Sequence, residues 1–319
     1  MRPYYVVSGA IVSKENDSVI IKKEDQEINV PLESIDSIII FGNSTLTTPL
    51  LGLLAKRGIP VFIYSFNGKY ITSIMPDNFI ESGFVIIRQA ENYIDMTKRM
   101  KIAKKFVEWA AINMNKVLIK FDALPLEIPI DKINSAKTPT ELMGIEGNFA
   151  DEYFGALDSI LPEKFMINER TRQPPLNFGN ALISFGNSLV YSVVISEIFH
   201  TYLNPSISFL HEPGYRRSSL GLDISEIFKP LLSHTVVISL IKRKLISEGD
   251  FTDSEGVYLN ERGKRKFLGA FDEKIMSTYY VNSLKRKASF KHIIRLEIYK
   301  VEKYILGEGE YKPFSPRRW

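Results

Sequence analysis

Glu146, His211, Asp223 and Glu226 are the side chains of this 319-residue protein whose types and spacing could do chemistry. Carboxylates and imidazoles move protons near neutral pH and supply the donors of divalent-ion sites. Histidine choices are few: only His200, His211, His234 and His292 occur, and no two stand at metal-ligand spacing. With no cysteine, there is no disulfide framework, thiol nucleophile, or cysteine-ligated zinc or iron-sulfur site. A Walker-type lysine loop, a G-x-G-x-x-G after a strand and a G-x-S-x-G elbow are all missing. Nucleotide hydrolases, dinucleotide enzymes and acyl-transfer serine enzymes are therefore disfavoured.

Three local patterns place these residues. Thr138-Pro139-Thr140-Glu141 reads as a capping box with proline at the first helical position, opening a helix into Gly144-Ile145-Glu146-Gly147. Glycine inside a helix costs about 1 kcal/mol relative to alanine, so the pair around Glu146 asks for a reason, such as close approach by another backbone or a ligand. Ala150 and Tyr153 fall on the Glu146 face. An exposed helix glutamate fits the same pattern. Phe209-Leu210-His211 ends an apolar run before Glu212-Pro213-Gly214, which puts His211 at the mouth of the core, either as a metal ligand or as a hydrogen-bonding group. A helix opened by Ser218 or Ser219 and reaching Pro230 carries an apolar stripe of Leu220, Ile224, Ile227 and Leu231 beside a polar stripe of Asp223, Glu226 and Lys229. Those two carboxylates could meet His211 in space or be solvated surface acids.

The elements around these patterns divide the chain. Residues 1–76 consist of short β-branched and aromatic runs at Tyr4–Val7, Ser18–Lys22, Glu27–Val30, Ile35–Phe41, Pro60–Tyr64 and Tyr70–Ile74. One short leucine helix, Leu50–Arg57, interrupts them, and Phe66-Asn67-Gly68 signals a turn. Beyond residue 77 the helical period takes over, as in Met96, Met100, Ala103, Val107, Ala110, Met114 and Val117. The expected architecture is α+β: a small β-rich domain over 1–76, then a larger all-helical catalytic domain over 77–319, cut between Pro76 and Glu81. The uncharged stretch Gln173–Ser196 is long enough to span a membrane, but Ser184, Ser188, Ser192 and Ser196 repeat along one ridge. It reads as a buried central helix. The start of the chain, Met1–Tyr5, has no secretory pattern, and a cytoplasmic location is expected. The formal net charge of +4 conceals residues 242–319, where 18 basic residues face 11 acidic ones. There Lys242–Lys244, Arg262–Lys266, Lys285–Lys287 and Arg317-Arg318 interleave with Phe267, Phe271, Tyr279, Tyr280 and Phe290, a pattern suited to a polyanion or to solvated helix faces.

Several blocks in order resemble the CRISPR-associated spacer-acquisition integrase family, the endonuclease subunit of the adaptation complex. They are Ile38–Gly42 with the leucine helix after it, Gly58–Val61, the double-proline element Glu169–Pro175, Asn180–Leu189, Leu203–Pro205, Phe209–His211 and Ser219–Pro230. Nearly the whole length is covered.

The resemblance implies that Glu146, His211 and Glu226 bind metal, and that Asp223, a second acidic position close by, belongs with the catalytic acids. It also places Arg170, Arg172 and Arg216 or Arg217 on DNA. Two carboxylates and one neutral imidazole suit Mg²⁺ or Mn²⁺, with positions left for water and phosphate oxygens. The implied reaction is phosphodiester hydrolysis, or transesterification by a DNA 3′-hydroxyl, with no covalent protein intermediate. The implied partners are DNA, a second copy of the chain joined through the β-rich domain, and the small ferredoxin-like subunit of the complex; no membrane is implied. A non-catalytic DNA scaffold and a general repair nuclease for branched DNA are the rival readings. Phe149 and Ser233-His234-Thr235 depart from the family pattern without touching the three proposed ligands.

Overall fold

The computed structural model describes residues 1–76, 82–214, 218–253, 255–281 and 284–316. Its strand-rich part contains β1 (Arg2–Val7), β2 (Ile11–Glu15), β3 (Ser18–Lys23), β4 (Gln26–Pro31), β5 (Ile35–Phe41), β6 (Thr45–Leu46), α1 (Thr48–Lys56), β7 (Val61–Tyr64) and β8 (Tyr70–Ile74). Two four-stranded sheets result, ordered β1-β5-β7-β8 and β4-β3-β2-β6. In the first, β5 runs parallel to β1 and β7, while β8 returns antiparallel. A parallel strand covered on both faces reads as a continuous apolar run, and Ile38-Ile39-Ile40-Phe41 is one. Ile38 and Ile40 enter the core shared with Val12, Val19 and Leu50, whereas Ile39 and Phe41 enter the core of the helical part.

β2 was not among the expected strands. Its polar half, Ser13-Lys14-Glu15, reads as a loop, yet it pairs antiparallel with β3 from Ile11↔Lys22 to Glu15↔Ser18. The hairpin closes at Asn16, whose positive φ of 51° asparagine tolerates well. The expected Asn67-Gly68 turn forms, with Gly68 at φ 83° and packed so closely on Phe185 that a Cβ would collide with the ring.

The helical part comprises α2 (Gly83–Ile94), α3 (Met96–Lys120), α4 (Ile130–Ser135), α5 (Pro139–Asp158), α6 (Phe178–Ile198), α7 (Ser219–Phe228), α8 (Thr235–Lys242), α9 (Glu261–Met276) and α10 (Phe290–Ile305). It is not helical throughout. Two hairpins, β9 (Phe251–Asp253) with β10 (Val257–Leu259) and β11 (Thr278–Val281) with β12 (Arg286–Ser289), flank α9. α6 is long and apolar enough to cross a membrane, but most of it is buried inside the protein. Its serine ridge meets the first sheet: the Tyr64 hydroxyl donates to the Ser188 carbonyl at 2.8 Å and hydrogen-bonds the Ser192 hydroxyl. Between α7 and α8 lies a π-helical turn, Pro230–His234, and the two helices bend there by 45°. All four residues of the predicted stripe, Leu220, Ile224, Ile227 and Leu231, are fully buried.

The aromatic residues of the basic C-terminal pattern divide between core and surface. Phe267, Phe271 and Phe290 lie in the core, Phe290 with the Lys274 ammonium 4.5 Å from its ring centre, whereas Tyr280 is exposed. Lys264 is buried with them, its ammonium 3.3 Å from the centre of the Phe66 ring. Arg317 and Arg318 lie outside the described residues.

Candidate active site

Glu146 is presented by α5, whose Thr138 cap accepts the Glu141 amide at 3.2 Å. Gly144 and Gly147 have no neighbour within 4 Å of where a Cβ would stand. Close approach by another part of the chain is therefore not their reason. The Glu146 carboxyl itself borders a small apolar hollow with Val107, Ala110 and Met114 of α3 and Phe149 of α5. That burial, and then the nearby charge of Glu226, push its pKa up to about 7, against the pull of Lys229, Arg172 and His211.

His211 is held from several sides. Asp223, on α7, is fully buried and accepts four hydrogen bonds. Its Oδ2 takes the Phe209 and Leu210 amides at 2.6 and 2.9 Å, and its Oδ1 takes the His211 amide at 2.9 Å and Nδ1 at 2.8 Å. A carboxylate has about four lone-pair sites, and all are used. Asp223 is thus neither a solvated acid nor a group with an oxygen to spare for the reaction; it is a positioning residue. Because Asp223 can only accept, the shared proton sits on Nδ1, and Nε2 is the ring nitrogen left to offer a lone pair. The Ser208 hydroxyl donates to the His211 carbonyl at 2.5 Å, and buried Arg99 donates to the Phe209 carbonyl at 2.8 Å and to Glu212 at 2.6 Å. Neither Ser208 nor Arg99 was anticipated; Arg99 lies 110 residues before Phe209 and carries no local signal.

Glu226 sits one turn beyond Asp223 and is mostly covered, its Oε1 accepting from Lys229 Nζ at 2.5 Å. Among the described residues, no three histidine or acidic side chains close around a common ion position. Glu146, His211 and Glu226 nevertheless share one electrostatic neighbourhood, in which Lys229 supplies a positive charge to Glu226.

The two arginines of the double-proline element part company. Arg172 is exposed and close enough to lower the Glu146 pKa. Arg170 turns inward, donating to Asn180 at 2.7 Å, Ser184 at 3.0 Å and the Thr171 carbonyl at 2.5 Å, so its donors fasten the loop to α6 instead of facing DNA. Arg216 and Arg217 lie outside the described residues. We expect Arg172→Ala to weaken DNA binding and to reduce its log-log salt slope by about 1, with thermal stability unchanged. Arg170→Ala should instead cost roughly 1–3 kcal/mol in urea unfolding, because Asn180 loses a charged donor.

The fold places the chain among known proteins. A solved CAS1 protein from Thermotoga maritima superposes with a TM-score of 0.90 at 35% identity, covering 98% of this chain and all of that one. A casposase bound to integration product shares the fold with a TM-score of 0.88 at 24% identity, over all of this chain and 94% of its own. The CRISPR-associated endonuclease Cas1 of Methanothermobacter thermautotrophicus is 42% identical over 98% of this chain and 94% of that protein. The family described as CRISPR associated protein Cas1 matches residues 4–273. The chain belongs to the CRISPR-associated Cas1 family.

Proposed function

We propose that this protein is a DNA endonuclease and integrase of CRISPR adaptation, working with Mg²⁺ or Mn²⁺ held by Glu146, His211 and Glu226. The observation that carries this is the His211–Asp223 pair: a buried carboxylate commits Nδ1 and leaves Nε2 available as a ligand atom, in the same neighbourhood as two carboxylates that repel each other. Such a donor set is short of positive charge and rich in oxygen, which is what a hard divalent ion takes. When bound, the ion supplies Lewis-acid polarisation of the phosphodiester and eases ionisation of the attacking hydroxyl. The chain's own residues do the rest. Asp223 fixes the tautomer and orientation of the imidazole, Lys229 balances Glu226 and can release it by rotating its flexible stem, and exposed Arg172 meets a phosphate next to Glu146.

The proposal includes DNA as substrate, a second copy of the chain joined through the strand-rich part, and a small ferredoxin-like subunit as partner. Relatives named as CRISPR-associated endonucleases, similar over nearly their full length, support it. The test is joining of a short duplex with free 3′-hydroxyls into repeat-containing supercoiled DNA, with the partner subunit present. Joining should require Mn²⁺ or Mg²⁺, stop with chelator, and fall by at least about 100-fold in Glu146→Ala, His211→Ala and Glu226→Ala. DNA binding without joining in the wild type would favour a scaffold. Cleavage confined to branched substrates would favour a repair nuclease, and joining that survives all three substitutions would place the site elsewhere.

A further inference from the structure

A cleft of about 620 Å³ opens between α8 and α9, and none of Glu146, His211 or Glu226 borders it. That volume lies within the range of small-molecule sites. The floor is apolar, with buried Val236 and Leu240 at its base and Ala270 on the α9 side. The walls carry cations: Arg243, Arg265, Lys266 and Lys274 against the single acid Glu273. Three of them are already engaged, Lys266 with Asp250 at 2.7 Å, Arg265 loosely with Glu261 at 3.7 Å and Lys274 over the Phe290 ring at 4.5 Å. Among the described residues the Arg243 guanidinium carries no ion pair or side-chain hydrogen bond, although it stands on the rim of a concave surface. Burial first, and then the like charge of Lys120, push the Lys274 ammonium down to about 7, which marks this end of the cleft as electropositive and partly desolvated.

A track for duplex DNA is polar and follows a backbone along an open surface. Here an apolar floor lies beneath a cationic rim, the combination that receives an apolar body bearing an anionic group. We propose that the cleft between α8 and α9 is a second ligand site, for a nucleotide-sized organic anion whose planar body lies on Val236 and Leu240 and whose phosphate meets Arg243. The proposal does not depend on the metal chemistry proposed above.

Fluorescence titration of the full-length protein with trinitrophenyl-ATP, in excess chelator so that the acidic site cannot hold phosphate through an ion, tests it. The expected result is saturable binding, displaced by AMP and far less well by inorganic phosphate. Arg243→Ala should weaken binding roughly tenfold by removing a charged donor. Gly269 borders the cleft, and a Cβ added there meets no atom within 4 Å, so Gly269→Leu has room to start into the space and should remove binding. Leucine is the better helix former at this position, so the variant keeps the fold. Glu146→Ala should bind as wild type does. The proposal is overturned if binding is not saturable, or if Arg243→Ala and Gly269→Leu both bind normally. It is equally overturned if inorganic phosphate displaces the probe as well as AMP does, if duplex DNA does so stoichiometrically, or if Glu146→Ala abolishes binding.

Discussion

Replacing Glu146 by glutamine is expected to abolish metal-dependent joining and, in chelator, to make the protein more stable. The carboxyl sits against an apolar hollow near the charge of Glu226, and its pKa is raised to about 7. A carboxyl raised in the folded state is tolerated while protonated. Below the unfolded value, near 4.5, both states hold the proton and the group costs nothing. Between 4.5 and 7 the unfolded chain gives up its proton while the folded state keeps it, so the penalty builds across that window and is complete above pH 7. Glutamine keeps the shape without the charge, so the gain should reach roughly 1–3 kcal/mol at pH 8 and vanish near pH 4. Thermal melts at both pH values, in EDTA, check this. A lower melting temperature at pH 8 would mean that the ionised carboxylate is held by a partner and that the site is not short of positive charge. Added Mn²⁺ should reverse the ranking, stabilising wild type and not Glu146→Gln, since ligand binding to the native state adds stability by mass action.

The opposite pattern is expected for Asp223. Asp223→Ala strands three backbone amides and the His211 Nδ1–H in a buried place, at a cost of about 3–5 kcal/mol in urea unfolding. Asp223→Asn keeps the volume but points an amide NH₂ at donors, so it too should unfold early, and the Mn²⁺ concentration needed for joining should rise about 10- to 100-fold. His211→Ala should lose joining as completely while keeping most of the stability, because the three amide bonds to Asp223 survive. Should Asp223→Asn melt like wild type and join at the same Mn²⁺ concentration, Asp223 would not be what positions His211.

How much of this was legible in the sequence varies with how local the cause is. Ile35–Phe41 announced a strand because its side chains alone carry that information, and the Thr138 cap and Asn67-Gly68 turn are equally local. β2 was not legible, since Ser13-Lys14-Glu15 owes its extended form to pairing with β3 rather than to its own propensities. β11 and β12 are short, and their Arg286-Lys287 edge reads as a charged loop for the same reason. At the site, Glu146, His211 and Glu226 were legible as a set only through the family resemblance; each alone passes for an ordinary polar residue. The separate duties of Asp223 and Glu226 were not, because a helical spacing of three places both on one stripe while burial alone separates them. Arg170 and Arg172, two apart in one motif, diverge because Arg170 is held by Asn180 and Ser184 of α6, contacts between distant parts of the chain that the motif itself does not announce.

β5 lends alternate residues to two cores, Ile38 and Ile40 to one and Ile39 and Phe41 to the other, and Tyr64 ties the neighbouring strand to α6. Melting the strand-rich part would strip the helical core of one of its walls, and the reverse also holds. The two parts should therefore share a single calorimetric transition, with van't Hoff and calorimetric enthalpies in agreement, and a separately expressed 77–319 fragment should expose the apolar wall that Ile39 and Phe41 cover and aggregate. An enzyme built this way cannot fray locally to admit its substrate: any reshaping around DNA has to come from whole parts moving as rigid pieces, or from side chains such as Lys229.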